Sequence, residues 1–170
     1  MRRALVLVLA LAALESASLK AADGGLSLGL VAGNPAGLSA AYDFAFPAGG
    51  SRSLAWTAGV QGSAGWDLVS PGGFAATADA LIRFGKLLRL GSVAVPLYAG
   101  VGGKFTALVG AGRYGKSEAD FGLSIRLPLG LRWDFGGPPL EAFLEVVPGL
   151  LVHPVARWDA GVGLGLRWRF

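Results

Sequence analysis

The residues best suited to chemistry in this chain are its single histidine, His153, and two interleaved sets of charges. The acids are Asp79, Asp134, Glu141, Glu145 and Asp159; the bases are Arg83, Lys104, Arg126, Arg132 and Arg167. A general base would have to be His153 or a carboxylate. The residues after His153, Pro154-Val155-Ala156, supply no serine, and no other nucleophile is indicated. Without cysteine there is no thiolate to attack a substrate or to bind a metal. Asp67, Asp120 and Asp159 lack the spacing of a calcium loop. Gly100-Val101-Gly102 and Gly161-Val162-Gly163 lie inside strand patterns rather than before a helix, so they form no phosphate cradle. The expectation is therefore a protein without metal, cofactor or catalytic activity. The charges themselves allow two outcomes: a neutralising ion network of Asp79, Arg83, Lys104, Arg126, Arg132, Glu141, Glu145 and Arg167, or a ligand-binding or catalytic cluster of Asp79, Glu145 and Arg126.

Which outcome applies depends on the elements that carry these residues. From Arg157 to Phe170 every second side chain is apolar: Trp158, Ala160, Val162, Leu164, Leu166, Trp168 and Phe170. Successive side chains of a strand point to opposite faces, so Arg157, Asp159, Arg167 and Arg169 share the other face. The same alternation recurs upstream. It predicts strands at about Gly25–Ala32, Gly37–Phe46, Ser53–Gly62, Phe74–Phe84, Val93–Phe105, Phe121–Phe135 and Leu140–Val152. In this register Leu26, Leu38, Trp56, Ala78, Val95, Leu97, Leu123 and Leu144 point outward, while every charge of the network points inward. No Asp, Glu, Lys or Arg falls in the outward register at mid-strand, which suits a face in hydrocarbon, where a midplane Arg or Lys costs about 2–4 kcal/mol.

Hydrophobic residues make up 53% of the chain and charged residues 15%. Residues 1–21 read as a secretory signal peptide: Arg2-Arg3, an apolar run from Ala4 to Leu14, then Glu15-Ser16-Ala17-Ser18. That apolar run is shorter than the ~20 residues of a membrane-spanning helix, and none of 18 or more follows it. Residues 22–170 then form one domain. Only a closed sheet lets so apolar a chain satisfy its backbone in lipid. The expected fold is an all-β, eight-stranded antiparallel up-and-down transmembrane β-barrel. The net charge of +4 is spread singly rather than clustered, which argues against nucleic-acid binding.

Aromatic residues fall at the strand ends. Phe44, Phe46, Phe84, Trp133, Phe135, Trp168 and Phe170 mark one rim; Phe74, Phe105, Phe121 and Trp158 mark the other, as interfacial belts do. Turn residues break the pattern at Asn34-Pro35-Ala36-Gly37, Pro47-Ala48-Gly49-Gly50 and Gly136-Gly137-Pro138-Pro139. The longest connectors, Ser63–Gly73 and Thr106–Asp120, fall on the side opposite the termini. Their Trp66, Arg113, Lys116 and Glu118 are the candidates for contact with something outside the cell. Pro128 and Pro148 cannot donate a ladder hydrogen bond, so each is expected at a bulge or beyond the lipid band.

Several phrases carry a resemblance to known proteins: Gly29-Leu30-Val31-Ala32-Gly33-Asn34-Pro35-Ala36-Gly37-Leu38-Ser39, Leu97-Tyr98-Ala99-Gly100-Val101-Gly102-Gly103-Lys104-Phe105, Arg126-Leu127-Pro128-Leu129-Gly130-Leu131, Phe143-Leu144-Glu145-Val146-Val147-Pro148 and Gly161 to Phe170. In these the chain resembles a family of small, mostly uncharacterised bacterial outer-membrane β-barrel proteins, OmpA/OmpX-like eight-stranded barrels. The resemblance implies residence in the cell outer membrane, contact with its lipid, a monomer, and a terminal strand read by the barrel-assembly machinery. It brings no reaction. Two other functions stay open at this point. One is a lipid-modifying enzyme of the outer membrane using His153 with a serine and an acid. The other is a soluble periplasmic ligand-binding barrel, with polar groups outside and apolar groups inside.

Overall fold

The structure is a computed structural model that describes residues 25–44, 56–68, 73–90, 93–108, 121–135 and 138–170. The signal-peptide residues 1–21, Phe46, Arg113, Lys116 and Glu118 lie outside the described residues. Five strands run without a break: β1 (Gly25–Gly33), β2 (Ala36–Asp43), β3 (Trp56–Asp67), β4 (Gly73–Leu90) and β5 (Val93–Leu108). Three more are each interrupted once: β6 (Phe121–Arg126) with β7 (Leu129–Asp134), β8 (Leu140–Val147) with β9 (Gly149–His153), and β10 (Arg157–Trp158) with β11 (Gly161–Arg169). Neighbours in the chain pair antiparallel, and β1 pairs with β11 from Ser27↔Arg169 to Gly33↔Gly163, which closes the sheet. The product is an eight-stranded antiparallel barrel, and the described residues contain no helix.

Burial follows the alternation of the sequence. Along β6 the pattern is strictly exposed, buried, exposed, buried, and β11 repeats it over Val162–Trp168. The enclosed side is narrow and carries few apolar groups; Val31, Leu81, Tyr98 and Phe143 cluster there. One outward residue departs from the expectation: Val95 is buried. It lies beside a register shift in which β4 advances from Phe84 to Leu88 while β5 moves only from Leu97 to Val95. Extra residues on one strand of a pair bend it and increase its twist, which alters the exposure that simple alternation assigns.

The proline expectation is also corrected. Pro128 and Pro148 sit neither at a bulge nor at the rims but at the mid-strand interruptions, and the pairing offset is the same on both sides of each, as Arg126↔Gly149 and Leu129↔Val146 show. The Leu127 N–H donates to the Pro148 carbonyl (2.9 Å) and the Gly100 N–H to the Pro128 carbonyl (2.8 Å). Proline has no N–H to return either bond. Each ladder loses one rung while the bonds around it hold the register.

Connector lengths differ from the sequence reading too. β3 extends to Asp67, so only residues 68–72 separate it from β4, whereas residues 44–55 separate β2 from β3 at the end bearing the termini. The other long connector, 109–120, is at the opposite end. Long segments thus occur at both ends. Gly65-Trp66-Asp67 has the composition of a turn, but the ladder from Ala36↔Trp66 through Asp67↔Gly73 overrides that local preference.

Candidate functional site

Alternation brings all eight residues of the expected network, on six different strands, into one enclosed column in which each is buried. Three tiers can be distinguished along the barrel axis. Near the rim away from the termini, Lys104 Nζ lies 2.7 Å from Asp159 Oδ2 and 3.8 Å from Asp67 Oδ2. Midway, Arg126 Nε stands 3.1 Å from Asp79 Oδ1, and its Nη2 donates to Glu145 Oε1 at 3.2 Å. Tyr98 donates its hydroxyl proton to Glu145 Oε2 at 2.9 Å.

The third tier lies toward the termini. Arg167 donates from Nη1 to Glu141 Oε1 (3.1 Å), from Nε to Ser39 Oγ (2.9 Å) and from Nη2 to Gln61 Oε1 (3.2 Å). Its guanidinium also lies 3.9 Å from the centroid of the Phe143 ring, a cation–π contact strengthened by exclusion of water. Arg132 reaches Glu141 Oε2 at 2.9 Å and Asp43 Oδ2 at 2.7 Å. Arg83 pairs with Asp43 as well. The Gln61 amide ties the lower two tiers together: its nitrogen donates to Asp79 (3.2 Å) and Glu145 (3.0 Å) while its oxygen accepts from Arg167.

Enclosed charges must be paired and hydrogen-bonded, because desolvation otherwise outweighs their attraction. Every charge of the network has an opposite charge beside it, while Arg83 Nε and Nη1, Asp79 Oδ1 and Arg126 Nε make no hydrogen bond among the described residues. Asp79, Glu145 and Arg126 do meet, as both sequence readings required. Glu145 accepts from Arg126, Gln61 and Tyr98, while Asp79 accepts from Gln61 and lies 3.1 Å from Arg126 Nε, so the three charges form one ionic cluster. Glycine makes the column possible where the wall is crowded: a Cβ on Gly130 would stand 2.3 Å from the Tyr98 ring, and one on Gly102 would stand 2.1 Å from Asp79 Oδ1.

Some members were not anticipated. Asp67 is buried inside the barrel rather than on a connector, because β3 continues through it. Trp66, expected on that connector, is the outward neighbour of Asp67 and packs edge-on against Phe74 with ring centroids 6.0 Å apart. Asp134, expected inside, reaches the rim, where it accepts from Arg132 and Arg169. Gln61 falls in the inward register of β3 and is buried, but its role as the tie between tiers has no local sequence signal. That role depends on which strands face one another across the lumen.

The aromatic residues form a ring at each end. Toward the termini, Trp56 is the ladder partner of Phe84, Tyr42 packs on Phe44 at 5.3 Å and Trp133 on Phe135 at 6.4 Å, with Trp168 and Phe170 on the last strand. At the other end Trp66, Phe74, Phe105, Phe121 and Trp158 are all exposed. His153 joins this second ring. The register shift at Leu123/Ser124 lies beside it, and its imidazole stacks on Phe121 at 4.7 Å. Its described contact is thus a ring, not a hydroxyl or an acid. Comparison with known proteins gives no match: no protein-family model, no curated protein and no solved structure matches the chain.

Proposed function

We propose that this protein is an integral outer-membrane β-barrel of a two-membrane bacterium, exported by the signal peptide at residues 1–21 and inserted as a monomer with a plugged lumen. Its role is structural or surface-interacting, without catalysis. The observation that carries this reading is an inside-out distribution of polarity. Among the described residues thirty-two large apolar side chains are exposed, including Leu30, Leu38, Ile125, Val146, Leu164 and Trp158, whereas Asp79, Arg126, Glu141 and Arg167 are buried. A soluble ligand-binding barrel requires the opposite partition.

The spacing of the two aromatic rings fits a bilayer. Phe74 and Phe84 lie ten residues apart on β4. At about 3.3 Å per residue that is about 33 Å along the strand, and a tilt of about 40° reduces it to about 25 Å along the barrel axis, the height of the apolar band of such barrels. The exposed stripe on β11 ends in Trp168, two residues before the half-buried Phe170, which suits recognition of the last strand by the barrel-assembly machinery. With the termini in the periplasm, residues 109–120 and the Trp158 rim face outward from the cell.

The test is extraction followed by gel electrophoresis. The protein should require detergent to stay in solution and should migrate differently before and after boiling. A protein that stays soluble without detergent and migrates identically in both states would reject the membrane reading.

A further inference from the structure

We infer that the rim away from the termini holds a site for one hydroxyl-bearing arm of a saccharide, at a gap in the wall between the β1–β2 turn and the last strand. Pairing of β1 with β11 stops at Gly33↔Gly163, followed by one bond from the Asn34 N–H to the Val162 carbonyl at 3.2 Å. The chain then turns away into β2. Above that point β10 is hydrogen-bonded in the sheet to β9 alone.

At the gap lies a small cleft of about 10 Å³ lined by Asn34, Lys104, Arg126, Val147, Asp159 and Gly161, room for about one hydroxyl-sized group. Asn34 is only 9% exposed, and its Oδ1 has no hydrogen-bond partner. A buried acceptor left unpaired carries a desolvation cost that a ligand donor removes. Glycine at 161 keeps the space open: a Cβ there would meet Asn34 Cβ at 3.5 Å and Nδ2 at 4.0 Å, ordinary contact distances that fill the cleft without a clash.

The charges select the ligand group. An ammonium would be repelled by Lys104 and Arg126. A carboxylate would face Asp159 and has no proton to donate to Asn34 Oδ1, and a phosphate would bring still more negative charge against Asp159. A neutral hydroxyl can donate to Asn34 while accepting from Lys104 or Arg126, and it suits either orientation of the Asn34 amide. Trp158, the chain neighbour of Asp159, is 83% exposed, the most exposed large apolar side chain among the described residues. An exposed indole offers a flat face on which the C–H side of a sugar ring packs. A free saccharide and a lipid-linked sugar both carry such hydroxyls; only the second source rests on the membrane reading.

The test uses the full-length exported protein in dodecyl-dimethylamine-oxide micelles, titrated separately with maltose and with dodecyl maltoside. Nuclear magnetic resonance follows the Asn34 side-chain amide and the Trp158 indole N–H. Both signals should move together and saturate. Gly161→Ala should weaken the apparent affinity by about tenfold, the effect of losing one good hydrogen bond. Asn34→Ala, which keeps the backbone bond to Val162, should abolish the Trp158 response even if Gly161→Ala does not fold. A response to maltose supports a free saccharide, and a response to dodecyl maltoside alone supports a lipid-linked one. If neither sugar moves Asn34, or if both variants respond as the parent does, the inference is overturned. Should the protein prove soluble without detergent, the maltose titration runs in buffer and still decides this site separately from the membrane reading.

Discussion

Along β6 and into β7 the same stretch of about 6–7 Å of backbone presents Ile125 and Leu127 to the exterior and Arg126 to the interior, and six residues after Arg126 the pair Arg132 and Trp133 repeats the contrast. On the inner face each charge of the network has an opposite charge or a hydrogen-bond partner within reach. Among the described side chains no charge occurs at the mid-strand positions of the outer face. On the proposed membrane reading the two faces obey the same rule, that a charge away from bulk water needs a partner. Only the narrow enclosed side can supply one from the strand opposite. The effect of a substitution should therefore depend more on which face it lands on than on residue type.

The largest effect is expected from Arg126→Met, which leaves Asp79 and Glu145 facing each other without their shared cation. Breaking a buried pair in this way costs about 3–5 kcal/mol. Urea unfolding in lipid vesicles should show it, and adding Asp79→Asn and Glu145→Gln should recover most of the loss. A single variant as stable as the parent would mean that the tier is not desolvated. On the opposite face, Leu164→Arg should cost about 2–4 kcal/mol in the same assay, as a cation at the bilayer midplane does. If Leu164→Arg is neutral, the comparison between faces fails.

A smaller change tests whether the interior is filled. A Cβ at Gly165 would stand 2.2 Å from the Phe143 ring and 2.8 Å from the Leu30 carbonyl. Gly165→Val should thus lower stability by about 1–3 kcal/mol through overpacking; a tolerant site would point to an open lumen. The smallest effect belongs to the rim, where Asp134 and Arg169 pair at 3.1 Å with both side chains partly exposed. Asp134→Asn should shift the unfolding midpoint by less than about 1 kcal/mol, since solvent screens such pairs. A loss as large as that of Arg126→Met would show that the plug extends to the rim.

Much of this arrangement was legible because alternation is a local property. Leu123, Ile125, Leu164 and Trp168 reveal their side of the wall from their immediate neighbours, and the same pattern sends Asp79, Arg126, Glu145 and Arg167 inward. What alternation cannot encode is which inward groups meet. The pairing of Asp43 with Arg132 and the Gln61 tie are set by the stagger of strands around the closed barrel, a global quantity. Asp67 and Trp66 were misplaced because glycine-rich composition resembles a turn when the partner strand is unknown. Val95 and His153 lie beside register shifts, where simple alternation fails. The unpaired Asn34 Oδ1 was invisible for a related reason: it depends on where β1 leaves its last partner.

The central claim is that hydrocarbon is the solvent of the outer face, and paramagnetic broadening tests it most directly. With the protein in micelles, a doxyl group on the far acyl carbons of stearate should broaden the amide signals of Leu28, Ile125 and Leu164 most strongly. A water-soluble gadolinium chelate should leave those amides untouched while broadening residues beyond the two aromatic rings. Strong broadening of Leu164 and Ile125 by the chelate, with none by the doxyl lipid, would contradict the account.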